Sequence, residues 1–303
     1  MTRLSGCGLG LRKEHFETIL RENPPVPFWE ALSENFMVAG GRPRRVLEAV
    51  RRSSPVLLHG VSLSIGSAEP LDRAYLARLE ELVRWIQPET VSDHLCWTAL
   101  GGANSHDLLP LPFTEAAVAR VADKVGRVQD ALGRPLLLEN VSSYVAFRES
   151  TMSEAEFVSA VVRRSGCRLL LDVNNLYVNA RNQGFSTEGY LATLPKGAVA
   201  QIHLAGHDDQ GDVVVDTHDR DVAESVWRLY RLAIARFGDV PTIIERDARV
   251  PPLADLLREA RRAESILEEA RSRSRSAVRP GWSESLPSDA RLSLLGECHA
   301  FAC

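Results

Sequence analysis

The chain has 303 residues, 45% of them hydrophobic, and a formal net charge of −4. That length suits one large core, and the charge lacks the basic excess of a nucleic-acid binder. No apolar run reaches the roughly 18 residues of a membrane span and the opening MTRLSGCGLG lacks a signal-peptide core, so a cytoplasmic protein is expected.

Short apolar runs alternate with longer amphipathic ones along the chain. Strands are expected at 8–11, 26–32, 56–60, 90–94, 136–140, 168–173, 199–204 and 241–245. Each reads as a near-continuous apolar run, as parallel strands buried on both faces should. The intervening segments carry helical spacing. Leu76, Leu79, Val83 and Ile86 make one apolar face; Val118, Val121, Val125, Val128 and Leu132 make another, with Thr114 as its N-cap. Eight strand–helix alternations predict a (β/α)8 TIM barrel over residues 1–269, with an open doubly wound sheet as the alternative. Residues 270–303, which include ARSRSRSAVRPGWSESLPSDA, are expected to form an Arg/Ser-rich flexible tail, a solvated extension rather than an RNA-binding arm.

The five cysteines, Cys7, Cys96, Cys167, Cys298 and Cys303, form no CxxC pair, which argues against a disulfide framework or a cysteine-based zinc site. Cys7, Cys96 and Cys167 lie in apolar runs and are expected to be buried.

Active sites of such barrels sit at the C-terminal ends of the strands. Here those ends carry His59, His94, Glu139, Asp172, His203 and Glu245, with Asn175 just beyond the sixth strand, His207 after the seventh, and Asp216 and His218 in the loop that follows. Ionisable groups directly after apolar runs are costly to bury unpaired. Imidazole plus carboxylate is a ligand set for Zn, Fe or Mn. The carboxylates are too many for one ion, so two or three ions are expected, with Glu139 as the bridge between the histidine pair and the later ligands.

The runs HGVSLSIGS (59–67), SDHLCW (92–97), HDLLPLP (106–112), LLLENVSSY (136–144), LLLDVNNLYVNA (169–180), HLAGH (203–207), DTHD (216–219) and ERD (245–247) closely resemble the multinuclear non-haem iron-dependent oxidative enzymes, the family of the methanobactin-maturation oxidase. The resemblance spans roughly residues 5–265 and implies a xylose-isomerase-like barrel. It implies a first iron on His59, His94 and Glu139, and a second on Glu139, Asp172, His203 and Glu245. A third would lie on Asp216, His218 and Asn175, and the reacting carboxylates would be Glu139, Asp172 and Glu245. It also implies O2 and a mixed-valent iron pair acting on cysteines of a ribosomally made precursor peptide, beside a partner protein that recognises the peptide leader. Two departures stand out: Asn175 occupies a position where related barrels place a histidine, and Gln183 stands where relatives commonly carry one.

Asp93, Asn140 and His207 are expected to orient ligands, and Asp247 to face substrate. His106 and Asp107 precede an LLPLP loop expected at the barrel mouth, where a peptide would lie. Trp97 is assigned to the core or rim, and His15 and His299 to no functional role. The rival reading is a metal-dependent hydrolase, endonuclease or sugar isomerase on the same barrel. The acidic balance of the chain disfavours DNA as its substrate, and membranes and nucleic acid are not expected partners.

Overall fold

The computed structural model describes residues 4–277, with side chains through residue 273. In chain order the strands are β1 (Cys7–Gly10), β2 (Trp29–Leu32), β3 (Val56–Gly60), β4 (Val91–His94), β5 (Trp97–Leu100), β6 (Ala103–Leu109), β7 (Leu137–Glu139), β8 (Arg168–Asp172), β9 (Val199–Leu204), β10 (His207–Asp209), β11 (Val214–Asp216) and β12 (Thr242–Ile244). The α-helices are α1 (Phe16–Glu22), α2 (Arg42–Ser53), α3 (Arg73–Ile86), α4 (Glu115–Leu132), α5 (Glu154–Ser165), α6 (Val173–Gln183), α7 (Thr187–Thr193), α8 (Glu224–Phe237) and α9 (Leu253–Ala277).

Eight strands close into an all-parallel barrel in the order β1-β12-β9-β8-β7-β4-β3-β2, with β1 pairing β2 to complete the ring. These are the eight strands expected from the sequence, and closure excludes the open sheet. Two antiparallel hairpins, β5–β6 and β10–β11, stand outside the ring and were not expected. His106 and Asp107 therefore lie on an exposed strand, β6, and His106 adopts a left-handed φ of 57°. Helix α9 runs on to Ala277, so the first residues of the expected tail belong to a helix. Arg271 ties it down through Asp239 and Ser5. Residues 278–303, with His299, Cys298 and Cys303, lie outside the described residues.

Side-chain alternation sorts the strands into layers. Phe28, Leu57 and Ile243 form a separate buried cluster inside the ring, away from the apolar layer between strands and helices. Two residues further along the chain from each stand Glu30, His59 and Glu245, at or just past the strands β2, β3 and β12. The barrel floor is thus apolar and the layer above it ionisable, and the step from one to the other is set by the two-residue period of a strand. Gly8 makes room for this plug, since a Cβ there would lie 2.5 Å from the carbonyl oxygen of Phe28. The helices start where the sequence indicated. Thr114 accepts the amide of Ala117 at the N-terminus of α4, and Ser153 with Glu156 closes a capping box on α5. Cys7, Cys96 and Cys167 are buried free thiols, as expected.

Candidate metal centre

Parallel register brings the strand-end residues side by side. His94 is paired with Glu139 across β4 and β7, and Asp172 with His203 across β8 and β9. His59, His94, Glu139, Asp172, His203 and Glu245 are all buried, and Glu139, Asp172 and His203 are 0% exposed. Carboxylates taken this far from water require compensating positive charge.

The hydrogen-bond network decides which nitrogen of each ring is bare. His59 Nδ1 lies 2.9 Å from the Ser92 hydroxyl, and that hydroxyl lies 3.2 Å from the Leu58 carbonyl. The single hydroxyl proton goes to the carbonyl, so Ser92 accepts from Nδ1–H and His59 Nε2 keeps its lone pair. His94 Nδ1 lies 3.0 Å from the Gly60 carbonyl, which can only accept, so its Nε2 is bare as well. The two Nε2 atoms lie 3.3 and 3.4 Å from the same oxygen, Glu139 Oε2. Three acceptors facing one another repel unless a cation sits among them. Burial, followed by the neighbouring His94 and His203, holds the His59 pKa well below its ordinary value, which keeps the ring in the neutral, ligating form.

On the other side of Glu139, His203 Nε2 lies 2.8 Å from Glu30 Oε1, while Nδ1 lies 2.9 Å from Glu245 Oε2 and 3.5 Å from Glu139 Oε1. Asp172 caps α6: Oδ1 accepts the Asn175 amide at 2.6 Å and Oδ2 is left without a hydrogen-bond partner. Both oxygens of Glu139, Nε2 of His59, Nδ1 of His203 and Oδ1 of Asn175 are likewise buried without hydrogen-bond partners among the described residues. These are the atoms that a metal cluster would use. Two compact sets, His59–His94–Glu139 and Glu139–Asp172–His203–Glu245, share Glu139, each set having ligand atoms within 4.8 Å of one another. The donor set fits a bridged pair of divalent ions. Without metal, protons take that place. Burial opposes charging of His203, but Glu30, Glu245 and Glu139 outweigh it and raise its pKa well above the ordinary value; burial, then Glu139 and Asp216, raises that of Asp172.

The residues expected at a third ion are arranged less simply. Asp216 Oδ1 lies 2.7 Å from His218 Nε2 and accepts from Asn174 Nδ2, while Oδ2 accepts from Ser142 Oγ at 3.0 Å. His218 Nδ1 faces Glu245 and Asp247, each at 3.3 Å, forming a further compact group of His218, Glu245 and Asp247. Asn175 donates from Nδ2 to the Asn140 carbonyl and keeps its oxygen bare. Gln183 sits away from these atoms, donating to the Ser143 carbonyl at 3.0 Å.

Of the supporting residues, Asn140 exchanges two hydrogen bonds with the backbone of Asp172, each 2.9 Å. His207 acts at one remove: its Nδ1 meets Asn174 Oδ1 at 2.7 Å, and Asn174 holds Asp216. Asp93 holds backbone amides of His94 and Leu63 rather than a ligand ring. Asp247 is half exposed at the mouth and pairs with Arg12 at 2.5 Å. Trp97 belongs to the rim, donating to the Pro110 carbonyl, and His15 bonds the Pro251 carbonyl. Sequence reasoning missed Glu30, Ser92, Gln201, Asn174 and Arg12. A lone carboxylate inside the apolar run of β2 was the available signal for Glu30. Gln201 also donates to Glu30, and nothing in the sequence marks either partner for the other.

No helix among the described residues is long and apolar enough to cross a membrane. The fold is similar to that of endonuclease IV from Thermus thermophilus, with a TM-score of 0.58 at 18% identity, covering 88% of this chain and 100% of that one. It is also similar to a xylose isomerase-like TIM barrel/4-hydroxyphenylpyruvate dioxygenase fusion protein, with a TM-score of 0.58 at 12% identity, covering 91% of this chain and 45% of that one. In sequence it is 56% identical over 264 residues to a UPF0276 protein of Anaeromyxobacter sp. (strain Fw109-5), covering 87% of this chain and 93% of that one. The family model for the RiPP precursor modification enzyme MbnB/TglH/ChrH matches residues 6–268. With that match across the whole barrel and its ionisable mouth, the chain belongs to the MbnB/TglH/ChrH family of RiPP precursor modification enzymes.

Proposed function

We propose that this protein is an iron- and O2-dependent enzyme of the cytoplasm that oxidises cysteine residues of a ribosomally synthesised precursor peptide, beside a partner protein that recognises the peptide leader. The observation that carries the reading is the pair of bare Nε2 atoms of His59 and His94 converging on Glu139, whose other oxygen faces His203. When bound, two to three iron ions, as a mixed-valent set, would supply the redox chemistry for O2-dependent oxidation of a cysteine.

The chain's own part is to hold and orient. His59, His94 and Glu139 would hold one ion; Glu139, Asp172, His203 and Glu245 would hold the second, placing the three carboxylates at the reacting centre. Asn175, Asp216 and His218 are the ligands proposed for the third. Ser92, Gly60 and Glu30 fix the tautomers of the three rings, so that each presents a lone pair inward. Phe28, Leu57 and Ile243 close the floor below, so substrate enters only from the mouth. Arg12, 3.7 Å from Glu245 and paired to Asp247, offsets part of the negative charge on that side.

A hydrolase or isomerase using zinc or manganese on the same ligands is the competing reading. Metal analysis of anaerobically purified protein separates them. Iron at two to three ions per chain is the expected result; stoichiometric zinc, with no oxidation even after iron reconstitution, would overturn the proposal.

A further inference from the structure

Beside the ionisable mouth lies a cavity of about 480 Å³ that the metal centre does not use. Its walls include Leu111, Phe113, Val145, Met152 and Phe185, and Glu154 and Tyr190 also line it. One loop takes part in both the cavity and the candidate site. Ser142 donates to Asp216 in the candidate centre, and the next residue, Ser143, lines the cavity and is held by Asn179, which also holds Glu154.

The chemistry of the pocket is specific. No Lys or Arg is among its lining residues, and Glu154 has no ion-pair partner among the described residues. The Tyr190 hydroxyl donates to Oε1 and Asn179 Nδ2 to Oε2, each at 3.0 Å. A carboxylate offers about four acceptor positions, so each oxygen retains one. Two free acceptor positions on one carboxylate suit a guanidinium fork, and aromatic walls favour a planar guanidinium over an ammonium. Phe185 and Tyr190 are stacked with centroids 6.0 Å apart, supplying such a wall.

We infer that this cavity is a side-chain subsite for an arginine, with Glu154 as its counter-ion. That the arginine belongs to the precursor peptide rests on the function proposed above; the preference of the cavity for a guanidinium does not. Burial, opposed by the Tyr190 and Asn179 hydrogen bonds, raises the Glu154 pKa to about 7, so an arriving cation would restore its charge.

The test needs neither iron nor O2, so its outcome is independent of the redox proposal. Full-length protein as purified is titrated calorimetrically with N-acetyl-arginine amide and with N-acetyl-citrulline amide, its uncharged isostere. The arginine amide is expected to bind about tenfold more tightly, the size of one charge-assisted hydrogen-bonded pair. Glu154→Gln should erase that difference. Gly189→Phe should weaken binding of the arginine amide at least tenfold: Gly189 lines the cavity with helical backbone, and a Cβ there meets nothing nearer than Ser186 at 3.5 Å, so the backbone accepts a side chain at this wall. Equal affinities for the two amides, binding that survives Gly189→Phe, or no binding of either amide to the native chain would overturn the inference.

Discussion

Glu30 Oε1 lies 2.8 Å from Nε2 of His203, on the far side of the ring from Nδ1, the atom that faces Glu139 and Glu245. A carboxylate behind a ligating imidazole fixes the tautomer and raises the basicity of the inward nitrogen, and losing it typically costs 10- to 100-fold in metal affinity. Glu30→Gln should therefore lower metal affinity about tenfold in a chelator competition while leaving the fold intact. Unchanged affinity would show that His203 is not a ligand through Nδ1.

Glu139→Gln should be more damaging than Asn175→Ala. Glu139 is shared by two ligand sets and both of its oxygens are buried without hydrogen-bond partners. An amide there would carry no charge and turn two donor hydrogens toward cations. Metal content per chain is the measurement: Glu139→Gln should lose most of the metal, and Asn175→Ala at most one ion. The reverse order would contradict the bridging assignment.

Gly8→Ala should destabilise the barrel without touching the ligands. The added methyl would meet the Phe28 carbonyl oxygen at 2.5 Å, and overpacking of this kind costs about 1–3 kcal/mol or more. A lowered denaturation midpoint is expected, with the metal content of the remaining folded protein unchanged.

Glu154 gives a pH dependence with a definite sign. Its pKa, raised to about 7 by burial against the Tyr190 and Asn179 hydrogen bonds, lies above that of a free glutamate. The folded state therefore holds this proton more tightly than the unfolded one, and the stability this contributes is present below the unfolded value near 4.5 and is lost as pH rises to about 7. Denaturation measured between pH 5 and pH 8 should show a decline that Glu154→Gln flattens. The same slope in both proteins would assign the decline to other groups.

The barrel was legible because its strands are buried on both faces: VLLHG, LLLEN and LLLDV announce themselves as apolar runs, and the residues that end them face inward by parity alone. The hairpins were not. In β6, Ala103–Leu109, five successive residues are exposed, so no apolar run or alternation marks the strand, and only its pairing with β5 defines it. The candidate ligands stand out as strand ends, but their hydrogen-bonding supports do not. Ser92 is one of many serines until the register sets it beside His59, and Arg12 meets Asp247 only because β1 and β12 are neighbours in the closed ring. Asp216 shows the limit of position alone: it reaches His218, yet its oxygens are already taken up by Asn174 and Ser142.

The most direct test of the central claim is mass spectrometry of a Cys-containing precursor peptide co-produced with this enzyme and the proposed leader-recognising partner, with free thiols alkylated. With iron-loaded enzyme and O2, the peptide should change mass and lose alkylatable thiols. Replacement of the target cysteine by serine should stop the change, since a hydroxyl is a harder and poorer ligand at neutral pH, and so should loss of His59 or His94. A peptide of unaltered mass with every thiol still alkylatable, in the presence of iron-loaded enzyme, partner and oxygen, would contradict the account.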